Sequence, residues 1–245
     1  MPFIYVIEHM EEDEPTEIKS LPEWVQLEYL HMRTLAGPEA QIHFTALSNS
    51  SANALSEVFK DSDPKSKADA TAHQIGVLEL MKKENVPLER VCLLDPKAEK
   101  ELCPKDGQGT FDWFLFGGIL GDDPPRDRTG ELRKLGFPTR HLGSIQMTTD
   151  TALGVTKKVV DDSVKLNDIP YTDYPTIKFN AKESVEMPFR YIAKQGEPPL
   201  ALSFLLIGIG VNFLVSNHAL ASSFHDLSKQ SEVMSAKLAA IPIRK

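Results

Sequence analysis

The sequence predicts an α/β fold, a mostly parallel sheet with helices on both faces. Three observations predict it. Short apolar runs of strand length recur at Phe3–Ile7, Ile42–Leu47, Val91–Leu94 and Trp113–Leu120, and the segments between several of them carry helical periodicity. The first of these, Phe3–Ile7, is continuous rather than alternating, as in a strand buried on both faces. Strands that alternate with helices pair in parallel through crossovers, which places helices over both faces. A chain of 245 residues suits one main core, here residues 1–199, followed by a tail over 200–245.

Phe3 to Ile7 forms the first strand, with Glu8 and His9 at its C-terminal end. Ser20-Leu21-Pro22-Glu23 has the form of a capping box, the serine accepting a backbone amide while the glutamate reaches back, so a helix starts there. Leu21, Trp24, Val25, Met32 and Leu35 then share one helical face, and Gly37-Pro38 supplies the stop. Ile42 to Leu47 is the second strand. Residues 48–74 are rich in Ser, Ala, Asp and Lys, with Asp63-Pro64 in the middle, and predict a surface insertion with at most short helices. A helix over Ile75 to Lys83 leads to the strand Val91–Leu94, closed by Asp95-Pro96. After the strand Trp113–Leu120 come a short helix Arg128–Leu135, a short strand Thr139–Leu142 and a longer helix from Thr149 or Asp150 to Ser163. Ile169 to Ile192 contains Pro170, Pro175 and Pro188 and is expected to be extended. Leu200 to Val215 holds 16 residues without a charge, long for a core segment and short of the roughly 20 that cross a bilayer. A buried helix or strand pair suits it better than a membrane anchor. Its Gly208-Ile209-Gly210 lacks the third glycine and the acidic partner of a dinucleotide fingerprint.

Composition narrows the partners. The 41% apolar and 25% charged content is that of an ordinary globular protein. A net charge of -8 opposes direct binding to RNA or DNA, whose phosphates call for an excess of Lys and Arg, and favours a cationic protein segment. Two cysteines, Cys92 and Cys103, make no disulfide framework, and no histidine stands at metal-ligand spacing from either, so no metal is expected. The N-terminal stretch lacks the basic region and cleavage site of a signal peptide, and with the cysteines it predicts a cytoplasmic location.

Two stretches stand out chemically. Phe114 to Thr129, FLFGGILGDDPPRDRT, places Gly117, Gly118 and Gly121 where an apolar strand ends. Glycines there serve a tight turn or let a ligand approach the backbone, and ligands of parallel sheets bind beyond the carboxyl ends of the strands. Arg140 to Ala152, RHLGSIQMTTDTA, ends in a helix start, with Thr149 as N-cap and Asp150 favouring the dipole. Capping leaves unexplained the loop Gly143–Met147, which offers backbone amides beside the apolar Leu142, Ile145 and Met147. Arg126 and Arg128 are either a clamp for an anionic group or partners of Asp123, Asp127 and Glu131. Glu12 to Glu14 are either functional carboxylates or a solvated acidic loop.

Together with Glu8-His9-Met10-Glu11, Cys92-Leu93-Leu94-Asp95-Pro96 and Met187-Pro188-Phe189-Arg190-Tyr191, these stretches closely resemble, in order, the motifs of the SPOUT-class (alpha/beta-knot) methyltransferases. The likeness is to the protein arginine methyltransferase branch that modifies a small-subunit ribosomal protein, and it spans residues 3–199. It implies a C-terminal trefoil knot over about 111–163, which pattern alone would reject because knots are nearly absent from proteins. It implies S-adenosylmethionine as cofactor, held by Phe116, Gly117, Gly118, Gly121, Leu142, Gly143, Ile145, Met147, Thr148 and Thr149. That cofactor has no phosphate and asks for backbone hydrogen bonds and apolar cover. A guanidinium acceptor stays protonated at neutral pH and asks for carboxylates, a role that falls to Glu8 and Asp122, with His9, Glu11 and Asp127 on the substrate side. Members of this class are commonly dimers through the knot region. An RNA methyltransferase and a non-catalytic binding or assembly protein of the same fold are the alternative readings. The tail departs from the family, whose members end in a short polar helix.

Overall fold

The computed structural model describes residues 2–9, 21, 23–60, 66–118, 127, 129–178 and 184–193. In chain order they form β1 (Ile4–His9), α1 (Glu23–Ala36), β2 (Gln41–Thr45), α2 (Asn49–Lys60), β3 (Asp69–Ala72), α3 (Val77–Glu84), β4 (Val91–Leu94), β5 (Trp113–Gly118), α4 (Thr129–Lys134), β6 (Thr139–Arg140) and α5 (Thr149–Val160). Four short strands follow: β7 (Tyr171–Asp173), β8 (Thr176–Lys178), β9 (Ser184–Glu186) and β10 (Arg190–Ile192).

The first six strands make one sheet in the spatial order β3-β2-β1-β5-β4-β6, and every pairing in it is parallel. β1 and β5 lie at its centre and are covered on both sides, which is why their sequences run apolar without alternating. Tyr5, Ile7, Phe114 and Phe116 point to one face, where they pack with Val25, Tyr29 and Met32 of α1, Leu55 and Phe59 of α2, and Leu153, Val155 and Val159 of α5. Val6, Leu93, Trp113 and Leu115 point to the other, against Val77, Leu80 and Met81 of α3, Leu132 of α4 and Phe137. Helices thus cover both faces, as predicted. Over the expected extended stretch, β7 pairs with β10 and β8 with β9, both antiparallel.

Residues 48–74 differ from expectation. Instead of an insertion with at most short helices they hold the twelve-residue α2 and the strand β3, which pairs in parallel with β2 and extends the sheet. Ala52, Leu55 and Phe59 bury one face of α2, and the Ser48 hydroxyl accepts the Ser51 N–H at 3.2 Å to cap its first turn. The small and polar residues between these anchors hid the period. β3 reads DATA because an edge strand needs little apolar surface. Other bounds moved slightly. β6 ends at Arg140 rather than Leu142, α5 stops at Val160 rather than Ser163, and Thr148 rather than Thr149 occupies its N-cap, with its hydroxyl on Thr151 Oγ1 at 2.8 Å. β5 ends at Gly118, while residues 119 and 120 lie outside the described residues, as do Ser20 and Pro22 of the capping box and the apolar segment 200–215. No helix among the described residues is long and apolar enough to cross a membrane.

Gly118 has a structural requirement that the sequence did not show. It pairs with His9 in register, and a Cβ built on it would stand 2.7 Å from Ile7 Cγ2 and 2.9 Å from the Glu8 carbonyl oxygen. Backbone cannot yield as a flexible side chain can, so β5 approaches β1 this closely only with glycine. Gly118→Ala is expected to cost roughly 1–3 kcal/mol, as overpacking does, measured by urea denaturation; an unchanged midpoint would contradict the close approach.

His43 on β2 and His73 beyond β3 meet with Nδ1 and Nε2 3.0 Å apart. Burial pushes His43 down to about 4, helped by the neighbouring His73, and holds His73 below its ordinary range, helped by Lys83. The folded state therefore refuses protons that the unfolded chain accepts, and this contribution to stability is present above the ordinary histidine value near ~6.5 and lost as pH falls towards the folded values. Urea midpoints at pH 7, 5.5 and 4.5 are expected to fall more steeply for the native chain than for His43→Gln, and parallel slopes would contradict the assignment.

Candidate functional site

All strands of the main sheet run the same way, so the C-terminal ends of β1, β2, β5, β4 and β6 form a single edge, where ligands of open parallel sheets bind. Glu8 and His9 end β1 side by side in sequence, but strand alternation sends them to opposite faces. Glu8 turns towards α3: its Oε2 accepts the Thr45 hydroxyl and, at 2.9 Å, the Val77 N–H in the first turn of that helix. Burial pushes its carboxyl up, while these two hydrogen bonds pull the other way. Oε1 receives no hydrogen bond from the described residues and lies next to Gly76. His9 is buried on the α1 face with Nδ1 2.9 Å from the Tyr29 hydroxyl. One acceptor pocket holding both side chains is therefore not what the fold provides.

Phe116 and the β5 glycines sit deeper than a lining would. Phe116 is buried in the core beside Ile7, and Gly117 and Gly118 pair with Glu8 and His9 within the strand. Gly117 keeps a direct relation to the edge, because its register partner is Glu8. Gly121, Asp122 and Glu11, with Asp123, Arg126 and Arg128, lie outside the described residues. Asp127 is fully engaged. Its carboxylate takes Arg133 Nη1 and Nη2 at 3.1 and 3.0 Å and Lys97 Nζ at 2.5 Å, and these hydrogen bonds hold it well below the usual carboxylate range. Arg133 also grips Asp95 at the end of β4 with Nε at 2.5 Å and Nη2 at 2.6 Å. Burial of Asp95 opposes its charge, but Arg133 and the Lys97 N–H keep it ionised below the ordinary range. This network ties α4 to the end of β4 and gives Asp95 a structural role.

The second stretch is partly exposed at the same edge. Leu142, Gly143, Ile145 and Met147 are half-buried, Leu142 and Met147 resting on the core, while Thr148 and Thr149 are buried. Gly143 has φ +103°, a conformation that suits glycine, and among the described residues the neighbour on its Cβ side within 4 Å is Arg190 Nη1 at 4.0 Å. Beneath the loop is a buried polar cluster that sequence reading missed. Asp150, 1% exposed, sets Oδ2 2.8 Å from His31 Nδ1, and Glu28, 6% exposed, accepts the Asp150 backbone N–H. Burial and the nearby Asp150 carboxylate push Glu28 well above its ordinary value, and burial with these same carboxylates raises the Tyr191 phenol. Glu28 occupies the stripe of Leu21, Val25 and Met32, and a charge inside an apolar stripe was the available signal. Among the described residues no group of three or more His, Cys, Asp or Glu is placed to hold a metal ion.

Comparison with known proteins adds to this geometry. The family described as protein arginine N-methyltransferase SFM1-like matches residues 4–206. Protein arginine N-methyltransferase SFM1 of Saccharomyces cerevisiae is 39% identical over 221 residues, covering 80% of this chain and 89% of the yeast protein. The crystal structure of the yeast arginine methyltransferase SFM1 complexed with SAM superposes with a TM-score of 0.68 at 38% identity, covering 82% of this chain and 87% of that one. Its complex with SAH gives the same TM-score at 37% identity, covering 82% and 93%.

The raised carboxyl of Glu28 has a definite sign. An acid whose folded value lies above its unfolded one contributes stability that is complete below the unfolded value, near ~4.3, and lost as pH rises through the folded one. Glu28→Gln keeps an acceptor for the Asp150 N–H and sheds the charge, so thermal melting is expected to find this variant gaining on the native chain from pH 5 to pH 8. A constant difference across that range would show that Glu28 does not titrate as described.

Proposed function

Because the chain belongs to the SFM1-like family of protein arginine N-methyltransferases, we propose that it transfers a methyl group from S-adenosylmethionine to an arginine of a basic protein, a ribosomal protein in particular. The observation that carries this reading is the likeness, over most of the chain, to a solved relative complexed with that cofactor. The residues present fit the group. Leu142 and Met147 offer apolar cover, the loop between them offers backbone amides, and Gly143 leaves room for close approach. Bound there, the cofactor would supply an electrophilic methyl on a sulfonium.

The chain's own part is to receive and orient the acceptor. Oε2 of Glu8 is anchored by Thr45 and Val77, which fixes the carboxyl group and leaves Oε1 to accept a guanidinium N–H. Burial makes this group a stronger base than a solvated glutamate, which favours drawing a proton from a cation. Positioning supplies the rest of the rate, with no covalent intermediate required. Asp122 belongs to the same proposal as a second carboxylate. A trefoil knot over about 111–163 is proposed as well, supported by the insertion of β5 between β1 and β4 and the placement of β6 beyond β4. The free thiols Cys92 and Cys103 suit the proposed cytoplasmic location.

Incubating the purified chain with methyl-labelled S-adenosylmethionine and either ribosomal proteins or ribosomal RNA tests the reading. Label recovered as N-methylarginine in protein is expected, whereas labelled RNA with unlabelled protein would establish the RNA methyltransferase reading instead. Glu8→Gln is expected to bind the cofactor within about twofold of the native chain and to transfer methyl on the order of 10²-fold more slowly; full activity would remove Glu8 from the chemistry.

A further inference from the structure

The short ribbon of β7 and β10 lies against the loop that carries the proposed cofactor contacts. Met147 and Arg190 form a parallel β-bridge, and the Arg190 N–H donates to the Gln146 carbonyl at 2.8 Å. Arg190 is itself held on three sides. Nε and Nη2 donate to the two oxygens of Asp173, its register partner on β7, at 2.6 and 2.8 Å, and its guanidinium lies 4.5 Å from the centre of the Tyr171 ring. The pairing holds Asp173 below the ordinary carboxylate range and Arg190 above its own. The remaining nitrogen, Nη1, faces Gly143. The next residue, Tyr191, turns inward to the cluster of Glu28 and Asp150 below the same loop.

β10 thus reaches the loop from two sides, Arg190 above Gly143 and Tyr191 below the start of α5. A two-point guanidinium–carboxylate contact fixes direction as well as distance, and stacking on an aromatic face adds to it. The loop's own conformation is not set by a regular element, because Gly143 to Met147 lies between β6 and α5. We propose that Tyr171, Asp173 and Arg190 form a clasp that holds the Gly143–Met147 loop in its binding shape. Arg190 and Asp173 are positioning residues for the cofactor rather than catalytic ones. The link to cofactor rests on the methyltransferase reading; the link to the loop rests on geometry alone.

The test uses the full chain and two readouts. Backbone amide hydrogen exchange without ligand reports the clasp directly: Arg190→Ala and Asp173→Ala are expected to accelerate exchange over residues 143–148, and unchanged exchange there overturns the proposal. Calorimetry with S-adenosylmethionine reports its consequence. Each variant is expected to raise Kd about tenfold, with the double variant no worse than the weaker single one and kcat at saturating cofactor within about twofold. Additive effects, or an unchanged Kd, overturn the proposal. Arg190→Lys keeps the charge but loses the two-point contact, and covers the case in which the alanine variant fails to fold; it is expected to bind as weakly as alanine, and full affinity would overturn the clasp in favour of a simple charge effect. If the native chain binds no S-adenosylmethionine while exchange responds as expected, the methyltransferase reading fails and the clasp stands.

Discussion

β5 enters the sheet between β1 and β4, and its approach to β1 at Gly118 sets the positions of the other parts of the site. A strand inserted between two others must satisfy hydrogen bonds on both sides and bury both faces, so Trp113 to Phe116 are large and apolar and the strand ends in residues small enough for β1. The register then places Gly117 opposite Glu8. A side chain at Gly118 would push β1 away and carry with it the Glu8 carboxyl, whose anchors Thr45 and Val77 belong to other elements. A glycine that sequence reading assigns to ligand approach therefore has packing against the neighbouring strand as its first duty.

The α1 and α5 side carries an opposite kind of constraint, a polar cluster inside an apolar layer. Burying Glu28 and Asp150 together is costly unless one gives up its charge or each finds a partner. Both remedies are visible: Glu28 rises towards the neutral form and accepts a backbone N–H, while Asp150 takes His31 and the Thr151 N–H. The result is directional. An apolar patch would let α5 slide on α1, whereas these contacts fix the first turn of α5, and the half-buried loop before it inherits that position.

Much of the architecture was legible because burial leaves a pattern. β1, β4 and β5 announce themselves as continuous apolar runs, and α1 as a stripe with a glycine and proline stop. α2 and β3 were not legible, since a helix anchored by Ala52, Leu55 and Phe59 among serines, and an edge strand of small residues, bury too little to mark a sequence. The loop Leu142–Thr149 drew attention through its glycine and its helix start, but the Glu28 and His31 beneath it come from a helix more than a hundred residues earlier, and no local pattern links them to Asp150. Side-chain direction was the other loss. Adjacent residues of a strand face opposite ways, so Glu8 and His9 part company once the strand is fixed.

Charge at the sheet edge is divided between groups already neutralised and groups still available. The chain's net charge of -8 suggests carboxylates to spare for a basic partner, yet Asp95 and Asp127 are held by Arg133 and Lys97, and Asp173 by Arg190. A guanidinium arriving here would have to displace an internal one of equal charge and better geometry, and the exchange would gain nothing. Glu8 differs: its partners are a hydroxyl and a backbone amide, neither of them cationic, and one oxygen remains unbonded among the described residues. A half-buried carboxyl with no cationic partner among the described residues gains more from an incoming positive charge than a solvated or paired one does, because the interaction replaces no other and is less screened. An acidic composition favours a basic partner of the kind proposed, and the lack of a counter-charge at Glu8 among the described residues is what makes one position on the edge different from the rest.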